Sequence, residues 1–251
     1  MEQTSAAPSK PRSDALRRAK WLIYQYVLDL ILIVPQLSIR LTNNGRKRFF
    51  DPAAFPWVAE VEAAYPQILA EYRRIAGQSL PNYQDIEAVN VQITTDDLWK
   101  TYFLHYYGYR LAKAERECPL TIAALRRIPG LQFAMFSILA PGKHITPHKG
   151  PYAGVLRFHL GVDVPDGCVI RIDDERQSWQ NGKSLVFDDS YEHEVWNDSD
   201  RPRCVLFVDV ERPLPWPLNV VNRWLLAQSA STQIAKDSIA NLRVWERAQN
   251  A

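Results

Sequence analysis

The sequence predicts an α+β fold in which a compact antiparallel β core, a sandwich or a barrel, is flanked by helices. Short β-type runs separated by Gly, Pro, Asp and Asn occupy the middle of the chain, at residues 132–139, 154–163, 168–173, 184–188 and 203–210. Apolar residues at helical spacing precede these runs, over residues 57–76 and 119–128, and return after residue 217. The predicted layout is therefore helices, a β core, and helices again.

Composition and cysteine usage narrow the class of protein. The chain has 251 residues, 47% of them hydrophobic and 23% charged, which is typical of a globular protein. Its formal net charge of +2 gives no indication of a nucleic-acid partner. Cys118, Cys168 and Cys204 lie far apart without a CxxC pair, which argues against a disulfide framework or a zinc-thiolate site and favours a reducing compartment. We expect Cys168 and Cys204 to be small core residues.

The domain organisation predicted from the sequence has four segments. They are a mobile basic tail (1–20), an apolar helix with its connector (21–52), the main domain (53–217) and a C-terminal helical tail (218–251). The apolar run carries Asp29 inside it and ends at Pro35, which argues against a membrane-spanning helix. No small-residue cleavage site follows, so a signal peptide is not expected. A helix lying in a membrane interface and an ordinary helix packed on the domain both remain open.

Three of the five histidines and two arginines stand out in the predicted β core. Strand alternation places Arg157 and His159 on one face of their strand, with apolar residues on the other. Arg203 begins another apolar strand, while His148 and His193 lie in the loops and strands nearby. A buried guanidinium requires a partner, and an anion held by its bidentate fork would provide one.

These histidines indicate a metal site, although an incomplete one. Non-haem Fe(II) oxygenases commonly use two histidines and one carboxylate on one face of the metal. The carboxylate normally follows the first histidine by two residues, and after His148 that position is Gly150. On the residues alone, a metal site and histidines that only satisfy core hydrogen bonds both remain open.

Several motifs occur together in the order and spacing of a known family. They are 136–139 (FSIL), 147–151 (PHKGP), 156–161 (LRFHLG), Trp179 with Gly182-Lys183, 187–196 (FDDSYEHEVW) and 203–209 (RCVLFVD). With them, residues 95–213 resemble the aspartyl/asparaginyl β-hydroxylase family. The resemblance implies a double-stranded β-helix (a jelly-roll, cupin-like core) in the 53–217 domain. It also implies an Fe(II)- and 2-oxoglutarate-dependent dioxygenase that uses O2 to hydroxylate an unactivated C–H bond, releasing succinate and CO2.

Carried over position by position, the resemblance implies His148 and His193 as the iron ligands and catalytic residues. Gly150 then matches a glycine that the family's aspartyl β-hydroxylases have at this position. Asp188 and Asp189, which precede His193, are expected to set a turn and to make supporting hydrogen bonds rather than to bind iron.

The same resemblance implies the residues that bind the co-substrate. Arg203 and Ser137 match the pair that holds the distal carboxylate of 2-oxoglutarate. Arg157 and His159 match the pair near its iron-bound end or near the substrate. Trp99 is expected to line the pocket. Glu192 and Glu194, which flank His193, are expected to be surface or structural residues.

The substrate class remains open at this stage. Gly150 and residues 193–196 (HEVW) resemble the peptidyl enzymes, which act on Asp or Asn. Residues 211–214 (ERPL) and 221–224 (VNRW) resemble bacterial lipid A hydroxylases of the same family, although those enzymes have Asp at the position of Gly150. The apolar, basic-flanked N-terminal run favours a lipid acyl chain or another membrane-associated substrate, and a cytoplasmic protein at the inner face of a membrane. A peptidyl or amino-acid Asp/Asn substrate and a non-catalytic dicarboxylate-binding barrel are the alternatives.

Overall fold

Two facing antiparallel sheets form the centre of the protein. The computed structural model describes residues 34–87 and 93–249. The larger sheet has the strand order β1-β8-β5-β10-β3-β2, and the smaller has the order β4-β9-β6-β7. The strands of the described ranges are β1 (Phe49–Phe50), β2 (Trp99–Tyr106), β3 (Leu131–Leu139), β4 (His144–His148), β5 (Val155–Asp163), β6 (Cys168–Ile172), β7 (Glu175–Ser178), β8 (Ser184–Phe187), β9 (His193–Asn197) and β10 (Arg203–Glu211).

The path of the chain identifies the fold as a double-stranded β-helix. From β3 onward the chain passes back and forth between the two sheets, and every strand pair is antiparallel. This is the jelly-roll, cupin-like core with flanking helices that was predicted, and the fold class is confirmed. The five β-type runs of the sequence correspond to β3, β5, β6, β8 and β10, with ends that differ by a residue or two.

Helices lie on both sides of this core. They are α1 (Pro56–Ala63), α2 (Tyr65–Ile75), α3 (Tyr83–Ile86), α4 (Ala112–Glu117), α5 (Pro119–Leu125), α6 (Leu218–Gln228) and α7 (Gln233–Gln249). The single helix expected over residues 57–76 is two helices separated at Ala64. Pro66 cannot donate the backbone hydrogen bond that a continuous helix requires, and it lies in the first turn of α2, where that donor is dispensable.

Alternation along β5 assigns each of its side chains to one layer, as predicted. Leu156 and Phe158 belong to the core cluster between the larger sheet and the N-terminal helices, where the Phe158 ring lies 5.1 Å from that of Trp57. Arg157 and His159 point the other way, into the space between the two sheets. The residues proposed for chemistry on β5 therefore share one interior face.

The C-terminal helices cover one end of the space between the sheets. Ala235, Ile239 and Leu242 of α7 are buried in the cluster that fills the sandwich. Tyr109 Oη donates a hydrogen bond of 3.0 Å to the carbonyl of Ala230, just before α7. These contacts make α6 and α7 a wall of the barrel rather than an independent appendage.

The predictions for residues 1–20 and for the apolar run over 21–33 lie outside the described residues. Residues 34–41 are helical. In the ranges 34–87 and 93–249, no helix combines the length and the apolar character needed to cross a bilayer. Cys118, Cys168 and Cys204 are unpaired and buried, as expected for Cys168 and Cys204.

Candidate active site

Two histidines face each other across the smaller sheet. His148 ends β4 and His193 begins β9, and the two residues are register partners in this antiparallel pair. Their ring centroids are 4.1 Å apart. Adjacent strands thus bring together side chains that are far apart in the sequence.

Hydrogen bonds fix the tautomer of both imidazoles. His148 Nδ1 lies 2.8 Å from the carbonyl oxygen of Thr146, and His193 Nδ1 lies 3.0 Å from that of Tyr191. A carbonyl can only accept, so each Nδ1 carries a proton and donates it. Each Nε2 therefore has a free lone pair, which is the state in which imidazole binds a metal.

The surroundings of the pair keep both rings neutral. Burial, together with smaller contributions from the nearby His148 and Arg157, lowers the pKa of His193 to about 3. Burial also lowers the pKa of His148. Neutral imidazoles at physiological pH are ready ligands, because no proton has to be displaced from Nε2 when a metal binds.

The position where other oxygenases carry a third ligand has no room for a side chain. A Cβ atom on Gly150 would lie 2.1 Å from Oδ2 and 2.4 Å from Cγ of Asp189. The carboxyl group of Asp189 therefore occupies the space beside Gly150. Among residues 34–87 and 93–249, no group of three or more His, Cys, Asp or Glu side chains has the geometry to hold a metal ion.

Arg157 links two buried carboxylates beside this position. Its Nε and Nη2 bond the Oδ1 and Oδ2 atoms of Asp209 at 2.9 and 3.2 Å. Its Nη2 also lies 2.9 Å from Asp189 Oδ2, in an ion pair without hydrogen-bond alignment. Burial raises the pKa of Asp189 to about 6 even though Arg157 opposes this shift. The charge of Arg157 is thus already matched by the protein itself.

A second polar group lies deeper between the sheets. The guanidinium carbon of Arg203 lies 4.0 Å from the ring centroid of Trp179, and the His159 ring lies 5.9 Å from the same indole. Within the described ranges, Arg203 Nε, Trp179 Nε1 and both His159 nitrogens are buried without a hydrogen-bond partner. Burial lowers the pKa of Arg203 to about 10. Such a set of unpartnered groups fits a bound anion, because buried polar atoms normally have partners.

Ser137 and Trp99 complete this region from the neighbouring strands. Ser137 is buried on β3, and its hydroxyl oxygen accepts a 3.0 Å hydrogen bond from Trp99 Nε1. With an acceptor site of Ser137 engaged in this way, its hydroxyl hydrogen is free to donate to an anion. β3 pairs with β10, which carries Arg203. The residues singled out in the sequence for iron and co-substrate thus lie in one interior.

A cavity of about 450 Å³ opens beside the histidines. His148, Gly150, Arg157 and Asp189 form its polar side. Its other walls are mainly aromatic and aliphatic, from Tyr83, Ile93, Trp99, Tyr106, Tyr107, Phe133, Phe207, Leu226 and Ile234. The cavity therefore has mainly aromatic and aliphatic walls, with a charged cluster beside His148 and further polar groups at Glu87, Ser229 and Thr232.

Comparison with known proteins gives the family. The model of the aspartyl/asparaginyl beta-hydroxylase family matches residues 62–213. The chain belongs to this family. The ornithine lipid ester-linked acyl 2-hydroxylase of Rhizobium tropici is 42% identical over 228 residues, which cover 89% of this chain and 81% of that protein. Human aspartyl/asparaginyl beta-hydroxylase is 40% identical over 121 residues, covering 46% of this chain but only 16% of the human protein.

Solved structures give partial matches. A Pseudomonas putida prolyl-4-hydroxylase aligns with a TM-score of 0.39 and 18% identity, covering 62% of this chain and 88% of that chain. A cupin domain of a transcriptional regulator from Enterobacter cloacae aligns with a TM-score of 0.34 and 16% identity, covering 47% of this chain and 100% of that chain.

Membership of the aspartyl/asparaginyl β-hydroxylase family makes the protein a hydroxylase of the 2-oxoglutarate dioxygenase class. The family implies Fe(II) and 2-oxoglutarate, and two residue sets in this chain fit them. The two free Nε2 lone pairs suit a metal, and the unpartnered Arg203 and His159 suit a carboxylate.

Some residues of the site were not identified from the sequence. They are Asp209 and Glu87, which both line the cavity. For Asp189, supporting contacts were expected, and its ion pair with Arg157 beside Gly150 is one. Asp209 has a signal that could have revealed it, because it lies on the same strand face as Arg203, an even number of residues away. Asp188 behaves as expected, since its Oδ1 accepts hydrogen bonds from Ser190 N and Oγ.

The glutamates beside His193 have the structural role expected of them. Glu194 accepts a hydrogen bond from Arg171 Nε at 2.5 Å and contacts His144 Nε2 at 2.9 Å. Glu192 pairs with Arg171 as well. All four side chains lie on the outward side of the smaller sheet, where they support β9 from outside the cavity.

Proposed function

We propose that the protein is an Fe(II)- and 2-oxoglutarate-dependent hydroxylase that acts on the acyl chain of a membrane lipid. The observation that carries the chemistry is the pair of facing imidazoles, His148 and His193, whose Nδ1 protons are both held by backbone carbonyls. This leaves two Nε2 lone pairs for one metal ion. Iron, when bound there, supplies the activation of O2 with 2-oxoglutarate that allows an unactivated C–H bond to be hydroxylated.

In this proposal the protein binds iron through two histidines and no carboxylate. A side chain at residue 150 could not reach the metal as a third ligand, because the carboxyl group of Asp189 fills the space that it would need. Asp189 instead stays paired with Arg157, close to the ligands but held by a cation. Its role is to orient water or co-substrate around the metal by accepting hydrogen bonds.

Arg203 is proposed to bind the distal carboxylate of 2-oxoglutarate, with Ser137 as a second donor. A guanidinium offers a bidentate fork to a carboxylate, and a buried one without an anionic partner gains most from it. Trp99 holds the Ser137 hydroxyl oxygen, so it orients the donor as well as lining the chamber. His159, and Arg157 through its contacts to Asp189, lie toward the iron-bound end.

An acyl substrate is favoured by the chamber and by charge. Its walls away from the histidines are mainly aromatic and aliphatic, which suits a hydrocarbon chain, although Glu87, Ser229 and Thr232 also line them. The Rhizobium tropici relative, by its name, hydroxylates an ester-linked acyl chain of ornithine lipid. Arg157 is already engaged by Asp189 and Asp209. Of the cations that line the cavity, this leaves the exposed Lys149 for the carboxylate of an Asp substrate. We propose with it a cytoplasmic position at the inner face of a membrane.

A peptidyl or amino-acid Asp/Asn substrate is the second candidate. It is favoured by Gly150 and by the 40% identity with the human enzyme over 121 residues. A third candidate, a non-catalytic barrel, would bind a dicarboxylate at Arg203 without turnover.

One experiment separates the three candidates. The purified chain is incubated with Fe(II), ascorbate, O2 and 2-oxoglutarate, together with ornithine lipid, other acyl lipids, or peptides that contain Asp and Asn. Succinate release and a gain of one oxygen atom in the organic substrate are then measured. We expect both with an acyl lipid. Oxygen gain in a peptide alone would favour the second candidate, and 2-oxoglutarate binding without succinate would favour the third.

A further inference from the structure

Two helices expose large apolar side chains next to the cavity. Trp216, which precedes α6, is 80% exposed, and Trp224 within α6 is 59% exposed. The helical residues 34–41 expose Leu37 and Leu41 in the same manner. We call the set Leu37, Leu41, Trp216, Val220, Val221 and Trp224 the apolar rim. A concentration of exposed apolar side chains of this kind marks an interaction site rather than ordinary surface.

The two helices that carry the apolar rim are hydrogen-bonded to a segment beside the cavity. Gln36 Oε1 accepts a 3.1 Å hydrogen bond from Ala153 N, which ties the first helix to the segment 152–154. Asn222 of α6 bonds the same segment through the Gly154 carbonyl at 2.9 Å. Tyr152, in this segment, and Leu226, on α6, line the cavity. Both helices thus lie next to the side of the cavity that this segment forms.

The chemistry of the apolar rim fits the surface of a lipid bilayer. Tryptophan prefers the membrane interface, where its apolar ring and its N–H are both accommodated. Three exposed cations, Arg46, Lys47 and Lys149, lie close to the rim in the chain or at the cavity mouth. Basic side chains beside an apolar surface complement the negative charge of anionic lipids.

We propose that the apolar rim docks the protein on an anionic bilayer, with the cavity mouth facing the lipids. The docking makes a lipid acyl chain accessible to the paired histidines without complete extraction of the lipid into water. The role of this docking rests on the proposed acyl hydroxylation, but the binding of the protein to vesicles is measured separately from turnover.

The test uses the full chain and vesicles of phosphatidylcholine with phosphatidylglycerol that contain no substrate lipid. Co-sedimentation gives the vesicle affinity of the unaltered protein, of Trp216→Ser/Trp224→Ser and of Leu37→Ser/Leu41→Ser. We expect each double variant to bind roughly tenfold more weakly or worse, because the side chains lost are the ones buried in the bilayer. Leu120→Ser is the matched control: Leu120 is 53% exposed on α5, outside the rim, and its loss should leave binding unchanged.

The outcomes separate docking from chemistry. Equal vesicle binding by the rim variants and the unaltered protein would overturn the docking proposal. Absence of vesicle binding by the unaltered protein would overturn it as well. Failure to hydroxylate detergent-dispersed lipid, with rim-dependent vesicle binding intact, would count against the proposed function alone.

Trp179 belongs to one of the sequence motifs, but that motif gave it no role. The guanidinium carbon of Arg203 lies 4.0 Å from the centroid of its indole ring, and the His159 ring is stacked 5.9 Å from the same indole. Arg203 Nε has no partner in the described part of the chain, so the cation–π contact is a main restraint on this guanidinium. We infer that Trp179 is a positioning residue that orients Arg203 for the distal carboxylate of 2-oxoglutarate.

Two variants distinguish this role from simple packing. Trp179→Leu removes the aromatic face, and Trp179→Phe keeps it. We expect Trp179→Leu to raise the KM for 2-oxoglutarate roughly fivefold or more with little change in kcat, and Trp179→Phe to restore most of the affinity. Calorimetric titration of 2-oxoglutarate into the Mn(II)-loaded protein without O2 gives the same comparison independently of turnover. Equal affinity in the Leu variant, or equal losses in both variants, would overturn the inference.

Discussion

The carboxyl group of Asp189 fills the space into which any side chain at residue 150 would project. A Cβ atom on Gly150 would come within 2.1 Å of Asp189 Oδ2. Asp189 cannot move aside freely, because its side chain is buried and paired with Arg157. The glycine two residues after His148 is therefore required by packing in this protein. It does not merely leave the metal without a third ligand.

Replacing Gly150 by Ala should force Asp189 out of its position. We expect Gly150→Ala to lower the free energy of unfolding by roughly 1–3 kcal/mol, the usual cost of overpacking a tight site. The loss is measured by chemical denaturation. Gly77→Ala is the control, because a Cβ atom there meets nothing within 4 Å. Adding Asp189→Ala to Gly150→Ala should recover part of the loss, and full additivity of the two changes would contradict the steric account.

His148 and His193 should be needed for iron binding, whereas His144, on the same strand as His148, should not. We expect His148→Ala and His193→Ala each to abolish iron-dependent succinate formation and to reduce Mn(II) binding strongly, since two ligands cannot be reduced to one without loss of the site. His144→Ala is the matched control, because His144 stacks on Trp196 and points away from the cavity. Full Mn(II) binding by either of the first two variants would refute the ligand assignment.

Arg203 should affect the co-substrate and leave the metal in place. A hydrogen bond to a charged group contributes about 1.5–3 kcal/mol, so Arg203→Ala should raise the KM for 2-oxoglutarate roughly tenfold to a hundredfold. Mn(II) binding should be unchanged. Arg201→Ala, at an exposed arginine in the preceding turn, serves as the control. An unchanged KM in Arg203→Ala would remove Arg203 from the co-substrate site.

Much of the fold follows from local patterns in the sequence. The alternation around Arg157 and His159 identified the interior face of β5, and Gly and Pro marked the ends of several strands. β2 was not identified, because the aromatic run from Tyr102 to Tyr109 lacks polar alternation. The strand is covered on both faces, and a strand of that kind loses the period-2 signal.

The site was predictable only as far as local motifs extend. His148, His193 and Arg203 lie in recognisable motifs, but the contact between Asp189 and Gly150 joins the loop after β4 to the loop before β9, which are distant in sequence. The same holds for Arg157 and Asp209, whose pairing depends on the register of β5 against β10. Register is set by the packing of the whole sheet, so no short segment encodes these relationships.

Glu87, in the cavity wall, should make the stability of the protein depend on pH. Burial raises the pKa of Glu87, although hydrogen bonds from Tyr106 and Ser238 oppose the shift. A raised folded-state pKa contributes stability below the unfolded value of about 4.3, and that contribution is lost as pH rises through the folded-state value. Relative to the unaltered protein, Glu87→Gln should therefore gain unfolding free energy with rising pH in this window.

Chemical denaturation at a series of pH values tests this expectation for Glu87. Glu60→Gln is the control, because Glu60 lies at the surface and pairs with Arg127. A constant difference between Glu87→Gln and the unaltered protein across the window would show that Glu87 does not titrate there.

The ion pair between Arg212 and Asp188 should hold the loop before His193 in place. Both side chains are only 1% exposed, and Arg212 also donates to the carbonyl of Asn44 at 3.2 Å. Removing one partner of a buried pair costs roughly 3–5 kcal/mol, so we expect Arg212→Met to lower the free energy of unfolding by that amount in urea. Arg223→Met, which breaks the surface pair with Glu211, should cost about 0–1 kcal/mol. Similar losses of unfolding free energy in the two variants would mean that the buried pair of Arg212 and Asp188 stabilises the protein no more than the surface pair does.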